Sequence, residues 1–127
     1  MNALLVFLGG GLGSLVRWGL SESIQQLAEK TSLQRFPVGI LSCNVLGSFL
    51  IGCLFGYYTS RVAPNWVFPL LATGFLGGFT TFSTFAKETH SLWTSGLTHL
   101  AFLKITLSVV LSILAVFIGI KLTHHPA

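Results

Sequence analysis

The fold class this sequence predicts is an all-α membrane protein with four transmembrane helices, the third of them broken in mid-membrane. Three observations predict it. Only 8% of the residues are charged, 52% are hydrophobic, and the mean hydropathy is +0.79. Soluble domains carry roughly 25% charged residues, so this chain is too apolar to cover itself with a hydrated surface. Its 127 residues hold four apolar stretches, each about the 20 residues a helix needs to cross the hydrocarbon core. The third stretch contains Gly74-Phe75-Leu76-Gly77-Gly78-Phe79-Thr80-Thr81-Phe82-Ser83-Thr84-Phe85, where three glycines, four hydroxyl residues and four phenylalanines stand in place of leucine and valine.

The first span is expected at residues 3–20. Met1-Asn2-Ala3 lacks the basic start of a secretory signal, and Arg17 follows a glycine-rich run rather than a cleavage site, so this span is retained. Residues 21–36 are polar and able to hold a short interfacial helix. The second span, 37–58, opens on Pro37, a residue suited to a helix start. A short connection, 59–66, leads to the third span at 67–93, and residues 94–98 lead to the fourth at 99–122. Together they make a single transmembrane domain, 1–127, in which consecutive spans are antiparallel neighbours. Trp18, Tyr57, Tyr58, Trp66 and Trp93 lie near span ends, where interfacial aromatic belts form.

Small residues mark the packing faces. Gly9, Gly13 and Arg17 recur every four residues, as do Asn44, Ser48, Gly52 and Gly56; Ser108, Ser112, Ala115 and Gly119 share a face of the fourth span. Such faces let membrane helices approach closely. Asn44, Ser108 and Ser112 need polar partners in hydrocarbon as well. Four helices are a thin bundle in which to enclose a pore, so a homodimer is expected. The Lys/Arg distribution is nearly even. Arg61 and Lys121 fall on one side, with Lys30, Arg35 and Lys87 on the other and Arg17 and Lys104 near its edge. So weak a bias permits insertion in both orientations.

Several chemistries are excluded. Glu22, Glu29 and Glu88 are the only acids, and all lie at or beyond span ends. No embedded carboxylate is left to carry a proton or hold a cationic drug, and no nucleophile, base and acid set can be assembled, so an enzyme is not expected. His90, His99, His124 and His125 lack partners at ligand spacing and read as solvated surface. Cys43 and Cys53 sit about 15 Å apart along one helix, too far to bridge within a chain. Gly9-Gly10-Gly11-Leu12-Gly13 follows no strand and has no Lys-Ser/Thr ending, so it is not a nucleotide loop. The net charge of +4 suits anionic lipid or an anionic solute, and no basic run points to nucleic acid.

Gly77-Gly78 and Thr80-Thr81 are poor helix formers. Unwinding there frees carbonyls to coordinate a small hard cation, as half-helix ends do in transporters. Irregular backbone at this depth survives only inside protein or along a polar cavity. Phe82 and Phe85 lie one turn apart, with Ser83 and Thr84 between them. They are either ordinary lipid or core contacts, or a ring pair whose positive edges hold an anion. Arg17, the one charge well inside a span, either snorkels to the interface or attracts anions from an aqueous vestibule.

Over nearly its whole length the chain resembles the CrcB/Fluc family of small fluoride channels. The likeness rests on the Gly13 to Arg17 stretch, on Asn44-Val45-Leu46-Gly47-Ser48 and above all on the run from Gly74 to Phe85. The resemblance implies a fluoride-selective passive ion channel of the bacterial inner membrane, which exports cytoplasmic fluoride down its gradient. It also implies an antiparallel, dual-topology, double-barrelled homodimer. A structural sodium ion (Na+) would sit at the dimer centre on the backbone carbonyls of Gly77 and Thr80. Asn44, Phe82 and Phe85 would form the fluoride pore with the hydroxyls of Ser83, Thr84, Ser108 and Ser112, the last two placed through a Leu-Ser-Val stretch. Arg17 would serve the vestibule, and Lys104 receives no role. Two other readings stand beside this one. A small multidrug-type cation exporter shares the size and helix number but needs a carboxylate buried in the first span. A non-transporting membrane assembly factor would show no flux after reconstitution.

Overall fold

The computed structural model describes residues 1–124, and among them every regular element is helical. Helix α1 runs Asn2–Ala28 and α2 Val38–Tyr58. A π-helical segment, Phe68–Leu76, leads directly into the short α3, Gly77–Phe79. After an extended pair at Thr80 and Thr81 comes α4, Phe82–Thr94, and then α5, Thr98–Thr123. Helices α1, α2 and α5 are long and apolar enough to cross a membrane. His125 lies outside the described residues.

Helix α1 does not stop at residue 20. Its 27 residues span about 40 Å, more than the roughly 30 Å of hydrocarbon. The polar end, 21–28, contains neither glycine nor proline, so the helix continues instead of yielding a separate interfacial one. Gln25 on that extension ties the next connection down. Its Nε2 donates to the Phe36 carbonyl (3.4 Å), and its Oε1 accepts from the Gly39 N–H (3.3 Å), one of the free donors that open α2.

Two glycine seams set how the helices cross. In the first, α1 lies against the π-helical segment and α3. A Cβ on Gly9 would strike the Leu70 carbonyl, one on Gly13 the Phe75 carbonyl, and one on Gly78 the Gly10 carbonyl. In the second, α2 and α5 meet with Gly52 on Val116, Gly119 on Phe49 and Gly56 on the Thr123 hydroxyl. Both seams are backbone-to-backbone approaches, which small residues permit.

The break falls later than the glycines suggest. Gly77 is helical (φ −62°, ψ −39°), and Gly78 lies within α3, where its missing side chain admits the Gly10 backbone of α1. The chain opens instead at Thr80 (φ −96°, ψ 153°) and Thr81 (φ −150°, ψ 121°), both β-branched and extended. Thr81 then caps α4, its hydroxyl accepting from the Thr84 N–H at 3.3 Å. At the far end of α4 the Leu97 N–H bonds the Leu92 carbonyl and the Gly96 N–H that of Trp93. This closure requires a left-handed residue, and Gly96 has φ +78°.

Helix α4 packs mainly on α5. Trp93 meets Phe102 edge-on at 5.6 Å. Lys104 of α5, fully buried, places its Nζ 2.8 Å from Glu88 Oε2 on α4 and 3.0 Å from the Pro37 carbonyl. Many large apolar side chains are exposed on the outer surface, among them Phe7, Leu15, Phe117 and Leu122, as contact with lipid requires.

Candidate functional site

An unwound turn among apolar helices leaves polar backbone to satisfy, and α1 and α2 share that task. The Asn44 side chain donates Nδ2–H to the Thr81 carbonyl (3.0 Å) and accepts the Thr81 N–H on Oδ1 (2.8 Å). Its amide thus pairs with Thr81 as a neighbouring strand would. Arg17 Nη1 donates to the Thr80 carbonyl (3.3 Å), and Ser14 Oγ to that of Gly78 (3.4 Å). Thr80 bonds back to the Leu76 carbonyl through both its N–H (3.0 Å) and its hydroxyl (2.9 Å). The Gly77 carbonyl loses its helical donor, since the Thr81 N–H is turned to Asn44.

Beside the break lies an open groove of about 370 Å³ between α2, the broken segment and α5. It brings together Asn44 of α2, Gly77 of α3, Thr80 of the extended pair, Phe82 and Phe85 of α4, and Ser108 and Ser112 of α5. The rings of Phe82 and Phe85 are 5.2 Å apart and tilted by 47°. Across from them, Ser108 Oγ is buried and makes no hydrogen bond among the described residues. The small-residue rows are divided between two tasks. Asn44 and Ser48, with Ser108 and Ser112, line the groove; Gly52 and Gly56, with Gly119, close the seam.

Two expected pore hydroxyls are placed elsewhere. Ser83 Oγ lies 3.1 Å from Thr81 Oγ1, and Thr84 accepts from the same hydroxyl at 3.3 Å. On a helix, Phe82 and Phe85 share a face that the two intervening residues do not. Thr84 faces a second cavity of about 440 Å³ instead, with Arg17, Glu22, Lys87 and Glu88. Arg17 therefore stands between cavity and break, its guanidinium on the break's own carbonyl rather than snorkelled away. Sequence reasoning missed Thr81, Gln25 and the Lys104–Glu88 pair. The signal for the last was present, in an unassigned lysine and a glutamate that both border spans.

Residues 4–120 match the profile of the family described as CrcB-like protein, Camphor Resistance (CrcB). The chain belongs to the CrcB-like family. Among its relatives, a protein named fluoride-specific ion channel FluC from Coxiella burnetii is 42% identical over 123 residues, covering 94% of this chain and 95% of its own. A FluC of Magnetococcus marinus is 42% identical over 121 residues, with the same coverage. One from Pyrococcus horikoshii is 41% identical over 130 residues, spanning 98% of this chain and all of its own. All are named as channels, a non-enzymatic activity. With three membrane-length helices, this CrcB-like chain is a multi-pass membrane protein.

Proposed function

We propose that this chain is a fluoride-selective passive ion channel that lets cytoplasmic fluoride leave a bacterial cell through its inner membrane. One observation carries the reading. In a chain whose relatives are named fluoride-specific channels, one open groove is lined by a pair of phenyl rings, an asparagine amide and a serine whose hydroxyl makes no hydrogen bond among the described residues. Fluoride gathered near Arg17 meets the second Asn44 amide hydrogen, the positive ring edges of Phe82 and Phe85, and the Ser108 hydroxyl. No full positive charge lines that groove, so the anion is held weakly at several points, as conduction needs.

In this reading the broken segment completes a fourth crossing of one transmembrane domain, and two copies in opposite orientations make two pores. Phe82 is 78% exposed in a single protomer, and a second copy would wall the groove there. The freed Gly77 carbonyl and the Thr80 carbonyl, which keeps a second lone pair beside its bond to Arg17, suit a hard cation such as sodium. Two oxygens are fewer than a sodium ion takes, so in this reading the partner supplies the remainder. When bound, the ion adds fixed positive potential near the pores. The exporter alternative gains nothing, because Glu22 lines the vestibule cavity beside Arg17 rather than the groove.

Purified protein in liposomes, followed with a fluoride electrode beside a chloride control, tests the proposal. Rapid fluoride release with chloride retained is expected. Phe82→Ile or Phe85→Ile should abolish release while the dimer stays intact. Retained fluoride in vesicles carrying folded wild-type protein would refute the channel.

A further inference from the structure

We propose that Lys104 is the buried counter-charge of Glu88 and thereby keeps the vestibule positive for an approaching anion. The inference rests on the channel reading above and assigns a positioning residue to it. Glu88 lies on α4 with its side chain 24% exposed, lining the cavity that also holds Arg17, Glu22 and Lys87. Those wall charges, two cations against two carboxylates, cancel. A neutral vestibule has no pull on fluoride, and Glu88 stands one helical turn from Thr84, on the side from which an anion would approach Arg17.

Lys104 tips this balance from behind. It is 0% exposed, and its Nζ lies 2.8 Å from Glu88 Oε2. That oxygen makes no well-angled hydrogen bond, so the pairing is chiefly Coulombic. A second bond, to the Pro37 carbonyl at 3.0 Å, fixes the ammonium between α5, α4 and the start of α2. A neutral side chain could bridge these elements without the desolvation cost of a buried charge. The charge itself is what a vestibule carrying Glu88 requires. With Lys104 counted, the groups around the cavity sum to a positive charge, and the Glu88 carboxylate is held by a partner that solvent does not reach.

The test compares fluoride efflux from liposomes carrying wild type, Lys104→Met and Lys104→Met/Glu88→Gln, each checked for an intact dimer. Lys104→Met should be slower by roughly tenfold, the effect of one uncompensated charge near the ion path at an intermediate dielectric. The deficit should shrink when an impermeant salt is raised from about 0.1 M to about 1 M, which shortens the screening length from about 10 Å to about 3 Å. The double variant should recover to within about twofold of wild type, because the carboxylate is gone with its partner. A purely structural clamp would be lost in both variants and would not respond to salt. Wild-type flux in Lys104→Met, or a double variant equally slow at both salts, overturns the proposal. Should Lys104→Met not fold, Lys104→Gln, which keeps a donor for Pro37, replaces it in both arms. Failure of the wild type to pass fluoride would instead overturn the channel reading, and this inference with it.

Discussion

Asn44 shows how a single side chain makes an unwound membrane segment tolerable. Its amide satisfies both backbone groups of Thr81, and each such group left unpaired in a buried site costs about 1–3 kcal/mol. Asn44→Leu should therefore lower the thermal midpoint in detergent clearly, whatever it does to flux; an unchanged midpoint would mean that the break is held by something else. That Asn44 needed a polar partner was legible from its place in an apolar span. Which partner was not, since Thr81 lies 37 positions away and nothing local in either segment encodes the pairing. Ser108 was legible in the same limited way. Sequence marks it as polar in hydrocarbon, whereas only its surroundings show that the residue lines the groove and that its buried hydroxyl makes no hydrogen bond among the described residues.

At the scale of elements, glycine has two meanings in this chain, and sequence does not separate them. Gly13 presses on the Phe75 carbonyl, while Gly11, two residues before it, has nothing within 4 Å of a built Cβ. Gly13→Ala should force α1 off the π-helical segment and lower the melting midpoint or the yield of folded protein. Gly11→Ala should be tolerated and can gain up to about 1 kcal/mol of helix propensity. Equal behaviour of the two variants in a detergent melt would contradict the seam. The same distinction explains the displaced break. Gly77 and Gly78 are poor helix formers, yet both are helical, Gly78 pressed against the Gly10 backbone of α1, and the unwinding moves to the β-branched Thr80-Thr81. Tertiary contact outweighs propensity there because the close approach is available only to residues without side chains.

For the whole molecule, the groove is open along one side of the single chain, and the proposed dimer would close it. Phe82 stands outside the chain's own core, and the two carbonyls proposed for a cation would be too few to hold it alone. The protein should accordingly run in detergent at twice the 13.7 kDa chain mass by light scattering corrected for bound detergent. A monomer that still passes fluoride in liposomes at one copy per vesicle would rule out a pore shared between copies. Composition determined that this is a membrane protein, because so few charges cannot hydrate a surface, and apolar stretches of about 20 residues determined that it is helical. Period-four rows of small residues marked the helix faces that close the seam and line the groove, and the run from Gly74 to Phe85 lies along that groove. Only the tertiary structure decided that Asn44 bridges Thr81, that Ser83 and Thr84 turn away from the groove, and that Lys104 finds Glu88. The physical reason is common to all three. Each depends on the angle and depth at which helices cross, and two backbone seams set that geometry through contacts between residues far apart in the chain.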